Sequence, residues 1–295
     1  MIALPTESCR YHEKAELFRD AITFTAGETG FGTKLIEKDY FCSLVLAFFY
    51  QNDSSSLVFK GGTALSKVHT DFYRLSEDLD FVIPLPSEAT RAERSKAAEP
   101  YKDLMERLAH EVSGIRLEMG LRGHNASKQY IGYASYVSQV TGDPERIKIE
   151  IGLRENTLRP IEHKLVKTLL IDSIKESEVL SAFPAAVMAY EEAYAEKFRA
   201  AMTRRKPAIR DFYDVFHAVA SMGFDPQRKD FIDLVVAKLA VPGNEEVDLS
   251  ISRKEALKEQ LHSELGSVLR KKDFEQFDLD KAFDIVCAVA ERLEK

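Results

Sequence analysis

Apolar positions along the chain fall into two regimes, a mixed helix-and-strand pattern up to about residue 180 and a purely helical one beyond it. Residues 11–28 and 33–51 carry apolar side chains at helical spacing and predict two helices, the second amphipathic and capped by Thr33. Leu57-Val58-Phe59 is a short apolar run of the kind that forms a buried strand. Thr63 then stands where a helix N-cap belongs, ahead of ALSKVH, so the local form is strand, Gly-Gly turn, helix. Leu79–Leu85 continues as a strand that Pro84 and Pro86 bring to an end. A charged helical stretch over 87–113 precedes three strand-like runs, Gly114–Leu121, Tyr130–Gln139 and Arg146–Leu153. The last alternates strictly: Ile147, Ile149 and Ile151 face one way, Lys148 and Glu150 the other. His163–Leu170 predicts one more strand, and from Pro184 onward helices are expected at 185–205, 210–222, 227–240, 251–270 and 280–294.

This order predicts an α+β fold: a mixed sheet flanked by helices over residues 1–180, then an α-helical bundle over 181–295. A length of 295 residues agrees with two modest domains or one large one. With 45% hydrophobic and 30% charged residues the chain has the composition of an ordinary soluble protein. Its longest apolar candidate, Phe41–Tyr50, is too short to span a bilayer. The first residues lack a basic region followed by an apolar stretch, and Cys9, Cys42 and Cys287 show no C-x-x-C spacing, so a reducing cytoplasm is the expected location. A net charge of −7 argues against indiscriminate nucleic-acid binding but leaves room for a local basic patch. Lys197–Arg210 supplies one, with six basic residues and no acidic one; a solvated helix end followed by a loop would look the same.

The densest chemistry lies in Phe59–Val82, where Gly61 and Gly62 are followed, after fifteen intervening residues, by Asp78-Leu79-Asp80 inside an apolar run. Paired glycines let backbone approach phosphate closely. Two carboxylates at alternate strand positions share a face, with Cα atoms about 6.5–7 Å apart. Such a pair repels itself unless a cation lies between, and oxygen-only donors suit Mg²⁺. Glu150, on the polar face of its strand, is a candidate third carboxylate. No G-x-x-x-x-G-K-[ST] loop and no H-E-x-x-H spacing is present. Ser76, two residues before Asp78, has the position of a residue that fixes the turn into the strand. On the helix predicted at 185–205, Lys197 falls on the face of Tyr190, Tyr194 and Ala201, either as a snorkelling stem or as an ammonium directed into a polar site. Asp211 opens the following helix, where a first-turn acid is favoured for electrostatic reasons alone.

FKGGTALSK followed by RLSEDLDFV, with IEKDYF upstream at 36–41, IKIEIGLRE at 147–155, EKFRA at 196–200 and IRDFYDV at 209–215, resembles the AbiEii toxin family of nucleotidyltransferase-like proteins. That family is related to the MenT toxins and to the DNA polymerase β-like nucleotidyltransferase superfamily. The resemblance implies a nucleotidyltransferase fold for the N-terminal domain and assigns roles by position. Lys60, Gly61, Gly62, Thr63 and Ser76 match the nucleotide-binding segment, Asp78 and Asp80 the metal-binding acids, and Glu150 the third acidic position. Lys197 matches the lysine that contacts nucleotide phosphates, and Asp211 the late catalytic acid. The implied reaction is transfer of NMP from an NTP to an acceptor with two Mg²⁺ ions, the acceptor being RNA and, by analogy with the MenT relatives, a tRNA 3′ end. A separately encoded antitoxin is the implied protein partner, and no membrane is. Two other readings stay open at this stage: an NTP-binding module without turnover, and a nucleotidyltransferase acting on a small molecule.

Overall fold

A computed structural model describes residues 9–52 and 56–293. The chain divides into two compact units, one running to Thr157 and resuming over Ile161–Met188, the other comprising Leu158–Pro160 and Ala189 onward. The fold is α+β, with the strands in the first unit and helices making up the second.

In the first unit a 3₁₀ turn at Tyr11–Glu13 leads into α1 (Ala15–Thr29) and α2 (Thr33–Gln51). Strand β1 (Val58–Lys60) passes directly into α3 (Gly61–Ala64), which continues as one π turn over Leu65–His69 before β2 (Leu79–Val82). Helix α4 (Arg91–Glu111) starts at a capping box between Thr90 and Glu93. Strands β3 (Arg116–His124), β4 (Gln129–Val137), β5 (Pro144–Gly152), β6 (Glu162–Val166), β7 (Ile171–Asp172), β8 (Ser177–Glu178) and β9 (Phe183–Val187) follow. A seven-stranded mixed sheet has the order β3-β4-β5-β2-β1-β9-β6, with β2/β5 and β1/β9 parallel and the other pairs antiparallel. The alternation read in β5 holds: Ile147, Ile149 and Ile151 are fully buried, while Lys148 and Glu150 lie on the partly open face.

Several elements differ from expectation, each for a physical reason. Helix α2 is buried along its length from Ile36 to Phe49 rather than amphipathic, because it serves as a core element: Phe41 stacks on Tyr136 of β4 and Phe49 on Phe81 of β2. Thr63 is not an N-cap; the helix begins two residues earlier, at Gly61, with Lys60 in the cap position. Phe183–Val187 is a strand and not the start of a helix, so the division between units falls after Met188 rather than at 180. A short apolar run such as FPAAV carries no period that separates strand from helix, and pairing with β1 and β6 decides it. The stretch expected as one helix over 251–270 breaks into a helix and a π turn at Leu261–Leu265.

The second unit contains α5 (Tyr190–Thr203), α6 (Ile209–Met222), α7 (Lys229–Leu239), α8 (Ile251–Glu259), α9 (Lys271–Gln276) and α10 (Leu279–Leu293). Its core is aromatic: Tyr194 stacks on Phe224, Phe198 meets Phe231 edge-on and Phe212 stacks on Phe283. A buried ammonium, Lys238 Nζ, lies 2.7 Å from Glu192 and 3.2 Å from Glu196. Glu192 also accepts the backbone N–H groups of Leu158 and Arg159, which ties that short segment to the helical unit. Among the described residues no helix is long and apolar enough to cross a membrane.

Candidate functional site

The glycine turn is shaped by what surrounds it. Gly61 has φ +78°, a left-handed conformation that a side chain resists. A Cβ there would run into the Oδ2 of Asp80 and stand 2.9 Å from its Cβ. At Gly62 a Cβ would run into the guanidinium of Arg74 and lie 3.2 Å from Ser76 Oγ. The two glycines therefore bring backbone up against the acid-bearing strand on one side and a buried arginine on the other. Thr63 Oγ1 donates to the Asp78 carbonyl at 2.5 Å, and Ser66 Oγ donates to the Arg74 carbonyl at 2.6 Å. Thr63 thus ties the helix start to the entry of β2. Arg74, only 1% exposed, donates from Nη1 to the Leu75 carbonyl at 3.0 Å and lies over the Tyr73 ring.

Strand register sets the acids side by side. Lys60 of β1, Asp80 of β2 and Glu150 of β5 are partners across three adjacent strands, and Asp78 precedes Asp80 by one alternation. Burial first, then the charges of Glu150 and Asp78, push the Asp80 carboxyl up to about 6, while Lys60 and Lys148 offset part of the rise. Glu150 behaves differently. Burial alone would raise it, but Lys148 Nζ at 2.6 Å and Gln129 Nε2 at 2.6 Å on its two oxygens hold it below its ordinary value. Lys148 is raised in turn, the bond and charge of Glu150 outweighing its own burial.

The donor set fits a hard divalent cation in part. Its oxygens are all carboxylate, and Asp80 has two acidic neighbours, Glu150 and Asp78, that add to the rise caused by its burial. Yet among the described residues no three His, Cys, Asp or Glu side chains are drawn together as a metal-holding group. Asp78 and Asp80 fit as a carboxylate pair, whereas Glu150 is turned to Lys148 and Gln129.

Behind the turn lies a polar cluster that the sequence reading passed over. Lys67, fully buried, places Nζ 2.7 Å from Asp39 Oδ1 and 2.8 Å from Ser43 Oγ, and lies over the Phe72 ring. Ser43 Oγ donates onward to the Asp39 carbonyl at 2.7 Å. Two elements distant in sequence, α2 and the π turn after the glycines, are joined by this pair. Part of its signal was visible as a charged residue, Lys67, in the largely apolar run ALSKV. Arg74 in FYRL has the same signature.

In the helical unit, Lys197 Nζ lies 2.9 Å from Asp211 Oδ1 and 2.8 Å from Asp214 Oδ2, all three largely buried. The lysine on the aromatic face is thus an ion-paired ammonium rather than a snorkelling stem. Arg204 Nε approaches Asp211 Oδ2 at 3.0 Å from a more open position. The predicted site residues therefore assemble as two groups: Lys60, Gly61, Gly62, Thr63, Ser76, Asp78, Asp80 and Glu150 in the sheet unit, and Lys197 with Asp211 in the helical unit. Asp214 is an addition that its place on the same helix face as Asp211 makes legible. Of the six basic residues from Lys197 to Arg210, Lys197 is held by acids and Arg199 by Asn244, while Arg204, Arg205 and Lys206 are exposed.

A family model described as "Nucleotidyl transferase AbiEii toxin, Type IV TA system" matches residues 44–288. Among solved structures, the chain is similar to a candidate nucleotidyltransferase from H. pylori, with TM-score 0.46 and 15% identity over 88% of this chain and 92% of that one. It is similar in the same degree to JHP933 from Helicobacter pylori, with TM-score 0.46 and 15% identity over 88% and 90%. No curated protein matches it significantly. The family match spans the glycine turn, all three acids of the sheet and the lysine–aspartate cluster of the helices, and by it this chain belongs to the AbiEii nucleotidyltransferase toxins of type IV toxin–antitoxin systems.

Proposed function

We propose that the protein transfers a nucleotidyl group from an NTP to RNA, at a tRNA 3′ end, in a Mg²⁺-dependent reaction in the cytoplasm, with a separately encoded antitoxin as its counterpart. One observation carries this reading: the left-handed Gly61 turn is packed directly on Asp80, whose carboxyl is raised first by its burial and then by the charges of Glu150 and Asp78. Phosphate-approaching backbone and raised carboxylate are thus in contact, as triphosphate chemistry needs.

In the proposed reaction an acceptor hydroxyl attacks the α-phosphorus of the NTP, a new phosphodiester forms, and the bond to the β-phosphate breaks to release pyrophosphate. Asp78 and Asp80 would hold the divalent cation, which supplies charge neutralisation and Lewis acidity at the phosphates. Gly61 and Gly62 shape the turn, their Cβ positions being taken by Asp80 and by Arg74 with Ser76, and the backbone of that turn is proposed to meet the triphosphate. Lys60, in register with Asp80, contributes positive charge beside it. Thr63 and Ser76 act on the turn itself, Thr63 through the Asp78 carbonyl and Ser76 beside Gly62. Glu150 adds negative charge next to Asp80 and becomes available as a ligand or acceptor-orienting group when it leaves Lys148. Within the helical unit, Lys197 is proposed as the phosphate-neutralising ammonium, with Asp211 positioning it. The exposed Arg204, Arg205 and Lys206 are proposed to contact the RNA backbone.

The test is incubation with Mg²⁺, each labelled NTP in turn and total tRNA, followed by separation of the RNA. Labelled tRNA from the wild type and none from Asp80→Ala supports the proposal. Label on a small acceptor instead of RNA would replace it with the small-molecule reading, and bound nucleotide without labelled product would replace it with the binding-module reading.

A further inference from the structure

The acid row of the sheet contains its own cation. Lys148 and Glu150 are two residues apart on β5 and so face the same side; their side chains meet at 2.6 Å with 31% and 26% exposure. Gln129, from the neighbouring strand β4, takes the other carboxylate oxygen at 2.6 Å. Both oxygens of Glu150 are therefore occupied by groups of the protein itself, although its register partner across the strands is Asp80.

We propose that Lys148 is the resident counter-ion of Glu150 and competes with the divalent cation for it, so that this lysine sets how tightly the acid row takes metal. The proposal rests on the metal-dependent reading above. Asp78 and Asp80 would be the standing ligands, and Glu150 would join them only when Lys148 leaves. An ammonium and a divalent ion cannot both lie against one carboxylate without repelling each other, so Glu150 has two alternative arrangements: Lys148 on it, or metal on it with Lys148 released. The released ammonium remains on the acid face of β5, where the negative charge of a triphosphate would receive it. Lys148 is thus a positioning residue that acts through Glu150, and it couples metal entry to nucleotide entry.

The experiment measures Mn²⁺ binding to the full-length protein by loss of the free-ion electron paramagnetic resonance signal. It compares wild type, Lys148→Met, Glu150→Gln, the double variant and Asp80→Asn. Because Lys148→Met frees the Glu150 carboxylate to join the two aspartates on the ion, this variant is expected to bind Mn²⁺ about ten-fold more tightly than wild type, a gain of about 1.4 kcal/mol. The gain should shrink to about three-fold or less when Glu150 is already Gln, since the competition runs through that carboxylate. Thermal unfolding of each variant establishes that it is folded. Lys148→Met binding Mn²⁺ no tighter than wild type overturns the proposal, and so does a gain that persists undiminished in the double variant. These results leave the metal reading standing. Wild-type protein that takes up no Mn²⁺, or binding unaffected by Asp80→Asn, instead overturns the metal reading and this proposal with it.

Discussion

Replacing Lys67 with Met isolates the ion pair behind the glycine turn. Lys67 and Asp39 are 0% and 3% exposed, so the substitution leaves a carboxylate in the core with its cation gone and Ser43 unable to compensate for a full charge. Removing one partner of a buried pair costs about 3–5 kcal/mol, a large part of the roughly 5–15 kcal/mol that holds a folded domain together. With a urea slope of about 2 kcal/mol per molar, the unfolding midpoint of the sheet-bearing unit should fall by about 1.5–2.5 M, followed by circular dichroism. The loss should also depend on pH in a definite sense. Burial raises the Asp39 carboxyl even with Lys67 present, and Lys67 is the group that opposes the rise. A carboxyl raised on folding favours the folded state below its unfolded value, about 3.9 for Asp, and that contribution is lost as pH climbs through the folded value. Lys67→Met should therefore be closest to wild type near pH 4 and diverge as pH increases. A midpoint within about 0.5 M of wild type at pH 7, or a deficit that grows on acidification, would refute the reasoning.

Gly61→Ala should lower nucleotidyl transfer at least about ten-fold while the protein remains folded, because a left-handed alanine costs about 1–2 kcal/mol and its Cβ displaces Asp80; wild-type initial rates with labelled NTP would contradict this. Mn²⁺ uptake at sub-saturating metal should weaken as pH falls through about 6, where Asp80 of the metal-free protein takes up a proton, and Glu150→Gln should move that midpoint down by removing the larger of the two neighbouring charges; binding isotherms across pH decide both. Arg253, 5% exposed, donates to the Ala201 carbonyl at 3.1 and 2.9 Å and to the Arg204 carbonyl at 2.9 Å, so Arg253→Met should destabilise the helical unit by about 3 kcal/mol, read as a lowered Tm. Replacing Arg204, Arg205 and Lys206 together with Gln should reduce the salt slope of RNA binding by about 2, at about 0.7 per phosphate contact on a single strand; an unchanged slope would remove that strip from the RNA interface.

What was legible in the sequence follows from where local pattern and tertiary contact agree. β5 could be read residue by residue because one of its faces is buried and the other partly open, so its alternation survives in the amino acids themselves. Gly61 and the Asp78–Asp80 pair stood out because each breaks a local rule, paired glycines after an apolar strand and acids in an apolar run that places Asp80 inside β2 and Asp78 just ahead of it, and such breaks concentrate at functional places. β9 was illegible because FPAAV owes its extended form to partners 17 or more residues away, at Glu162–Val166 and at Phe59. Helix α2 was expected to be amphipathic for a related reason: its charged residues Glu37, Lys38 and Asp39 are buried only because the Ser138–Gln139 turn, Glu145 and Lys67 arrive from elsewhere to pair with them. Lys148 is the sharpest case. Its place on the polar face beside Glu150 was evident from the alternation, but alternation says only that two side chains share a face. The 2.6 Å contact adds what alternation cannot: Lys148 is the counter-ion of Glu150 and helps hold that carboxyl below its ordinary value.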